Sequence, residues 1–223
     1  ARLLGMQGHY VPELSTFGAG FERGQYGIQA GIDRELSTPM DGRLIGGLSA
    51  QYLGFSGTSG SGTLSAHGIG LGATLSYYDF SGFYLDAQAN VLAYGGDYSS
   101  SVVGPMARGV GGPGFGTSLE AGYRYMLNDD WSVTPQAQLS YSNIGLNPFV
   151  DNFGARVAID EARSLELRLG LGSEYQDSWT AGDGTTSRIK LHAGADYYHE
   201  FLGRNAVNLS SNVLESRLPS DWG

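Results

Sequence analysis

The chain has 223 residues, including 36 glycines and 14 tyrosines, and its formal net charge at pH 7 is −9. This acidity argues against a nucleic-acid partner, because phosphate binding requires a basic surface. The chain contains no cysteine, which excludes disulfides, a thiol nucleophile and zinc–thiolate sites. Many glycines and tyrosines with 16% charged residues favour strands and turns over helices.

Segments along the whole chain alternate apolar and polar residues with a period of two, which is typical of β-strands with one apolar and one polar face. In chain order they are 2–10 (the least regular), 26–33, 42–55, 70–78, 83–94, 118–127, 131–141, 164–175 and 189–201. We predict a tenth strand over 205–214. The sequence therefore predicts an all-β fold of 9–10 readable strands.

The segment WSVTPQAQLSY (131–141) has the most regular alternation, with Trp131 and Tyr141 at the two ends of its apolar face. Ten steps of ~3.3 Å give ~33 Å, which at a tilt of ~40° spans the ~25 Å apolar band of an outer-membrane barrel. Aromatic residues near the strand ends are typical of the girdles of such barrels. We therefore predict an antiparallel up-and-down transmembrane β-barrel in preference to a soluble β-sandwich or meander.

The polar faces of these strands carry charges of both signs beside glycine. A charged side chain that points into lipid at mid-depth costs about 2–4 kcal/mol, and Arg124, Arg168 and Lys190 all fall on the polar phase. We therefore predict that the polar face lines the barrel lumen. The predicted lumen residues are Asp86, Gln88, Asn90, Glu120, Arg124, Gln136, Gln138, Glu166, Arg168, Lys190, His192 and Asp196.

Short and long connections alternate along the chain. The predicted short turns are 38–42, 79–82 and 128–130, with a somewhat longer link at 177–187. The predicted long connections are 12–24, 56–68, 99–116 and 144–164. Transmembrane barrels have short turns on the periplasmic side and long loops on the other, so this alternation favours the same fold.

Candidate catalytic and nucleotide-binding patterns have simpler interpretations. Gly109, Gly111 and Gly114 have dinucleotide-fingerprint spacing, but no helix follows them as that motif requires, so we predict a flexible loop. His192 and His199 are seven residues apart, and strand alternation places them on opposite faces. His9 and His192 are both compatible with a lumen position, although nothing in the sequence brings them together. We expect no catalytic site, metal or cofactor.

Two carboxylate pairs on the polar faces, Glu166 with Glu174 and Glu120 with Asp86, fit either acid–base chemistry or salt bridges in the barrel wall. The neighbouring Arg124 and Arg168 favour salt bridges.

Several motifs in a fixed order then indicate a family. They include GQYGIQAGIDREL (24–36), SYYDFSGFYLDAQANVLAY (76–94), SLEAGYRYMLNDDWSVTPQAQLSYSNI (118–144), SLELRLGLGSEYQ (164–176), YYHEFLGRNAVNL (197–209) and SDWG (220–223). With these motifs the chain resembles the C-terminal translocator domain of classical (type Va) autotransporters. The resemblance implies a native barrel of twelve strands, and we expect residues 1–223 to be a single domain truncated at both ends, without the linker helix and the closing strand.

The resemblance also implies a function. The domain is expected in the bacterial outer membrane, where it secretes an N-terminal passenger polypeptide or anchors it to the cell surface. The implied partners are its own passenger domain and linker helix, outer-membrane lipid and the barrel-assembly machinery, and the domain is expected to be a monomer without enzyme activity. The alternatives are an outer-membrane barrel enzyme, such as a protease or phospholipase, and a small-solute pore.

Overall fold

The computed structural model describes residues 1–10, 14–15, 21–38, 41–159, 162–180, 182–202, 204–209 and 212–217. Within these ranges the regular structure consists of β-strands and contains no helix. In chain order the strands are β1 (Arg2–Tyr10), β2 (Leu14–Ser15), β3 (Phe21–Ser37), β4 (Gly42–Ser59), β5 (Gly62–Asp79), β6 (Phe83–Ser100), β7 (Gly104–Tyr123), β8 (Tyr125–Met126), β9 (Trp131–Ile144), β10 (Phe149–Val150), β11 (Arg156–Ile159), β12 (Ala162–Thr180), β13 (Thr186–Glu200), β14 (Arg204–Leu209) and β15 (Asn212–Arg217). The predicted all-β fold is confirmed.

The large sheet is an antiparallel meander. Its strand order is β1-β3-β4-β5-β6-β7-β9-β12-β13, with the short β8 paired to β9. Each long strand pairs with the next long strand along the chain, as in an up-and-down sheet. For the described part of the chain, the nine predicted strands and their order are therefore confirmed.

A second sheet has the order β10-β11-β14-β15-β2 and is built from segments between or after the long strands. In it, β14 and β15 pair with each other, and their ladder closes at Leu209 and Asn212. The prediction of one long strand over 205–214 is therefore wrong, because the chain reverses within this range.

The register of the large sheet collects like side chains into rows. One apolar row contains Leu119, Leu139 and Leu167. One residue away along each strand, a polar row contains Glu120, Gln138 and Arg168. Because side chains alternate between faces with a period of two, this register gives the sheet one apolar and one polar face.

The polar face lies on the inside of a curl. The Tyr84 hydroxyl on β6 donates to Gln136 Oε1 on β9 at 3.1 Å, although β7 lies between them. Alternate strands are about 10 Å apart, so their side chains meet most readily where the sheet is concave. On the opposite face Leu48 and Leu71 are 66% and 63% exposed. The sheet is thus a half-barrel that is polar inside and apolar outside.

Two connections predicted as long loops are strand hairpins instead. In the range 56–68, β4 continues to Ser59 and β5 begins at Gly62. In the range 99–116, β6 and β7 are separated by residues 101–103 alone. Gly60 has a φ of 55° and Gly104 a φ of 78°, a conformation that glycine adopts without steric cost. Glycine at these positions permits tight turns, so the polar runs on either side pair as strands.

The other connections follow the predictions more closely. The connection 144–164 is long and mostly irregular, with β10 and β11 inside it. Tight turns occur at 79–82 and 128–130, the latter closed by hydrogen bonds from the Asp130 and Trp131 amides to Asn128 Oδ1.

The remaining predicted connections are described in part. Residues 11–13, 16–20 and 39–40, within or beside the predicted connections 12–24 and 38–42, lie outside the described residues. The link predicted at 177–187 is shorter than expected, because β12 ends at Thr180 and β13 begins at Thr186.

Residues 53–68 and 92–113 form two hairpins, here called the protruding hairpins, that extend beyond the apolar band. In the first, the inner face carries Leu53, Phe55, Leu64 and Ala66, whereas the outer face carries Ser56, Thr58, Thr63 and Ser65. In the rest of the large sheet the inner face is polar and the outer face is apolar, so the hairpin shows the reverse pattern. The alternation continues, but apolar and polar residues exchange faces.

The second protruding hairpin has a small core of its own. Ala107 and Val110 are only 4% and 6% exposed, and the Tyr98 ring stacks on Phe149 with 6.1 Å between ring centroids. Gly109, with a φ of 63°, forms a bulge whose amide donates to Asp97 Oδ1 at 2.8 Å. The hairpins thus bury apolar groups inward, as protein does in water.

Candidate functional site

The twelve residues predicted to line the lumen share the inner face of the half-barrel, here called the polar wall. On β6 they are Asp86, Gln88 and Asn90; on and just after β7, Glu120 and Arg124; on β9, Gln136 and Gln138; on β12, Glu166 and Arg168; and on β13, Lys190, His192 and Asp196. The in-phase register places them on one continuous surface.

One ion cluster of the polar wall is centred on Arg168. Its Nη2 lies 2.5 Å from Glu120 Oε2 and its Nη1 lies 3.4 Å from Asp196 Oδ1. Its Nε donates to Gln138 Oε1 at 3.1 Å, and the Tyr84 hydroxyl donates to the other oxygen of Glu120 at 2.6 Å. The guanidinium fork suits this role, because it donates in several directions within one plane.

A second ion cluster is centred on Glu174. Arg124 Nη2 lies 2.6 Å from one carboxylate oxygen, while Lys190 Nζ and His192 Nδ1 lie 2.9 and 3.3 Å from the other. Arg124 Nε also donates to Ser132 Oγ at 3.1 Å, and Ser132 is 2% exposed. Side chains from several strands thus converge on a single carboxylate.

These clusters give the polar wall opposite charges that satisfy one another. The side chains of Arg168, Glu120 and Glu174 are 21%, 19% and 17% exposed, so the ions are partly screened by water and their pairing is of modest strength. Charge-assisted hydrogen bonds hold them in place. The surface is hydrophilic, and most of its ions are paired with partners of opposite sign.

The outer face carries aromatic pairs near the short turns. Trp131 packs on Tyr175 with 5.0 Å between ring centroids, and Tyr123 packs on Tyr125 at 4.7 Å. Nearer the opposite end of the strands, Phe115 lies 6.5 Å from Tyr141. Rings that are apolar in the middle and polar at the tip suit a boundary between hydrocarbon and water.

Among the residues described, no helix has the length and apolar character to cross a bilayer, a finding that concerns helices alone.

Comparison with known proteins then decides the family. The family model "Autotransporter beta-domain" matches residues 2–223. The chain belongs to the autotransporter β-domain family. The adhesin BmaC autotransporter of Brucella suis is 31% identical over 216 residues, 95% of this chain but 6% of that protein. The pertactin autotransporter of Bordetella bronchiseptica is 31% identical over 205 residues, 90% of this chain and 22% of that protein. The β-domain thus spans a small part of the length of these relatives.

Solved structures agree with the fold of the β-domain. The β-domain of the Bordetella autotransporter BrkA superposes with a TM-score of 0.70 at 21% identity, covering 96% of this chain and 86% of that chain. The transport unit of AIDA-I from Escherichia coli gives a TM-score of 0.65 at 12% identity, covering 91% of this chain and 70% of that chain.

The histidines of this β-domain do not form a common site. His192 lies on the polar wall, whereas His199 lies on the outer face, where its ring meets Phe201 edge-on at 4.6 Å, as predicted from their spacing. The shared lumen position considered for His9 and His192 is wrong. His9 pairs with Glu22 on the outer face, because β1 enters the register with its odd residues outward.

The candidate carboxylate pairs belong to the wall rather than to an acid–base site. Asp86 and Glu120 pair across β6 and β7, but Asp86 accepts from Ser76 at 2.5 Å and from Gln88 at 3.0 Å, while Glu120 binds Arg168. The ion pairs of Glu120 and Glu174 agree with the interpretation as salt bridges, whereas Asp86 is held by neutral donors.

The glycine motif of this β-domain is part of a strand. Gly109, Gly111 and Gly114 all lie in β7, so the predicted flexible loop is wrong. A strand flanked by strands offers no helix N-terminus for a phosphate. Among the described residues, no group of three or more His, Asp or Glu is arranged to hold a metal ion.

Sequence reasoning overlooked Tyr84 and Ser132 and did not include Glu174 among the lumen residues. In β6, β9 and β12 the even-numbered residues point to the inner face, so the residue numbers of these three were enough to predict their position. Tyr84 also packs over Gly122, where an added Cβ would collide with the ring. An aromatic residue near a strand end was easily assigned to the outer girdle instead.

Proposed function

We propose that this β-domain is the translocator of an autotransporter. It resides in the bacterial outer membrane, secretes its N-terminal passenger or anchors it to the cell surface, and gives the passenger a path along the polar wall. The path residues are those predicted from the sequence together with Tyr84 and Glu174. The observation that carries the proposal is the inverted solvation of the half-barrel, polar inside and apolar outside, in a chain of this family.

The composition of the polar wall suits passage of an extended polypeptide. A passenger has no fixed side-chain pattern, so a wall that favours one charge would bind some segments and repel others. Arg168 and Glu174 are each neutralised by partners of opposite sign, and glutamines such as Gln136 and Gln138 present both donors and acceptors. Such a surface hydrates any chain without retaining it.

The outer face supports the membrane location. Leu48, Ile69 and Leu71 are each more than 60% exposed, and soluble proteins rarely expose apolar patches of this extent. Contact with hydrocarbon removes this cost, and the aromatic pairs at the ends of the apolar band then lie at the headgroups.

The partners follow from the same proposal. Passenger and linker helix are parts of one polypeptide with the β-domain, and the barrel is completed as a monomer in lipid with the help of the barrel-assembly machinery. The enzyme alternative is less well supported, because its histidine pair is divided between the two faces. EspP of Escherichia coli, a relative named as a serine protease, shares 15% of its length with this chain.

Site-specific photocrosslinking in cells tests the path. A photoreactive phenylalanine analogue replaces Gln88, on the inner face, or Ala89, the next residue on the outer face, in the full-length protein. The passenger is stalled by a folded, disulfide-bonded segment. We expect a crosslink from position 88 to the stalled passenger and none from position 89, where the probe meets lipid.

Equal crosslinking from both positions contradicts passage along the polar wall. Spin labels on single introduced cysteines provide a second measurement, because residues 1–223 contain no cysteine of their own. A label at Leu139 or Leu167 is expected to be quenched by lipid-soluble reagents, and one at Gln138 by aqueous reagents. The opposite accessibility contradicts the membrane location.

A further inference from the structure

The outer face of the β-domain contains a trough near the edge of the apolar band that adjoins the protruding hairpins, here called its upper edge. It has a volume of about 950 Å³ and is lined almost entirely by apolar atoms, which places it in the range of ~300–1,000 Å³ typical of ligand sites. Small residues form its floor: Ala30, Ala50, Ala93, Pro113 and Gly145. Larger side chains, such as Tyr52, Leu71 and Phe115, form its walls.

The register shows the course of the trough across the strands. One row of lining residues runs through Ala30, Ala50, Leu71, Val91, Phe115 and Asn143. The next outward row, toward the protruding hairpins, contains the floor residues Ala93 and Pro113. Ala30 lies within the outer apolar run of β3, whereas Asn143 lies beyond Tyr141, the last aromatic of β9. Because strands tilt in barrels, the trough rises obliquely from within the apolar band to its upper edge.

The cationic side chain of Arg163 belongs to a residue at the upper end of the trough. Arg163 pairs directly with Asn143 in the register of β12 and β9, on the same outer face, and it is exposed. The next outward residues below it are Leu165 and Leu167, which belong to the apolar band. Arg163 therefore lies at headgroup depth, and a guanidinium there complements a phosphate.

We propose that the trough binds a lipid whose phosphate-bearing headgroup is net anionic, from the membrane leaflet on the side of the protruding hairpins. An acyl chain lies between Ala30 and Ala93, and the phosphate lies against Arg163 and Asn143. An apolar channel that ends at a cation at the interface matches a molecule with an apolar tail and an anionic head. This inference rests on the membrane location proposed above.

Native mass spectrometry of the full-length protein tests the proposal. The protein is reconstituted in phosphatidylcholine nanodiscs containing lipid A, a diphosphorylated, multiply acylated glucosamine lipid, and is then released with its retained lipids. We expect one retained lipid A on the unaltered protein. Arg163→Gln is expected to reduce occupancy about fivefold, the effect of one cation beside an anionic headgroup.

Variants that fill the trough separate a bound acyl chain from general attraction to anionic lipid. Ala50→Leu and Ala93→Leu are expected to abolish retention, whereas Ala137→Leu, on the outer face below the trough, retains it. Equal retention by all three variants overturns the proposal, as does unchanged retention in Arg163→Gln.

Quenching of Trp131 and Trp179 by brominated lipid in the same nanodiscs reports the membrane location independently. Normal quenching without lipid A retention rejects the trough alone, whereas absent quenching rejects the membrane location on which it depends.

Discussion

The half-barrel between the short turns and the protruding hairpins, here called the lower part, is built from the same strands as the hairpins. In the lower part the apolar residues point outward, whereas in the hairpins they point inward. At the depth of Leu139 the apolar residues point outward and remain exposed, while ions pair on the inside. In the hairpins Val110 points inward and is buried, and Ser65 points outward. On β4 and β5 the strands thus pass from one solvent to the other without any break in their pairing.

The comparison teaches that alternation and orientation are separate properties. A period of two in the sequence guarantees two unlike faces, but it does not say which face meets which solvent. The surroundings decide that, and the point where apolar residues change sides marks the upper edge of the apolar band. On β4 this change occurs between Tyr52, which points outward, and Leu53, which points inward.

The largest expected effect on the free energy of unfolding comes from an outward-pointing charge, placed either in the apolar band or in a protruding hairpin. Leu139→Arg points a guanidinium into hydrocarbon and is expected to destabilise the folded barrel by about 2–4 kcal/mol. Ser65→Arg, outward in a protruding hairpin, is expected to change stability by less than about 0.5 kcal/mol. Guanidinium-induced unfolding in lipid vesicles measures both, and equal losses contradict the difference in solvent.

An inward polar substitution is expected to show the opposite dependence on depth. Val110→Asn buries an amide in the core of the second hairpin and is expected to cost about 1–3 kcal/mol. Ser118→Asn, inward on the polar wall, is expected to cost less than about 0.5 kcal/mol. Amide exchange across residues 104–113 reports local loss of the hairpin core and is therefore the sensitive measurement. Equal protection in the two variants argues against a separate hairpin core.

Ion pairing inside the lower part is expected to contribute modestly. A double-mutant cycle of Arg168→Met and Glu120→Gln is expected to give a coupling of about 1 kcal/mol, because both ions are partly exposed and screened. Arg124→Met with Glu120→Gln is the control, since Arg124 binds Glu174 instead, and its coupling is expected to be close to zero. A coupling that is equally small in both cycles contradicts the Arg168 cluster.

The smallest effect concerns a turn outside the membrane. A hydrogen bond from the Thr185 amide holds the pKa of the Asp183 carboxyl below its usual range. A depressed pKa means that the contribution to turn stability is present above the unfolded value of ~3.9 and is lost as pH falls through the folded pKa. The Thr185 amide proton resonance is expected to titrate with that lower midpoint. A midpoint at or above the unfolded value contradicts this bond.

Much of the large sheet was predictable because one physical rule covers it. The antiparallel register is in phase from β3 to β13, so the parity of Glu120 or Arg168 in the sequence already determines its face. The cost of a charge in lipid then identifies the polar phase as the inner one. These two steps gave the predicted wall residues.

Other features depend on distances that a linear pattern does not contain. Glu174 gathers Arg124, Lys190 and His192 only because β12 lies beside β13 and one strand away from β7. The glycine-rich runs at 56–68 and 99–116 resemble loops in composition, and only pairing with a partner strand makes them hairpins. The pairing of β14 with β11 likewise joins segments that are far apart in the sequence.

The reach of the protruding hairpins has a consequence for biogenesis. For the membrane location proposed above, a barrel inserted from the side of its short turns carries the hairpin tip between Ser56 and Ser65 through hydrocarbon before its hydroxyls reach water. Each hydroxyl that sheds its hydration on the way, without a substitute partner, raises the barrier to crossing by about 1–3 kcal/mol. Spontaneous insertion of such a ribbon is therefore slow for kinetic reasons, even though the finished fold is stable, and lengthening the tip slows it further.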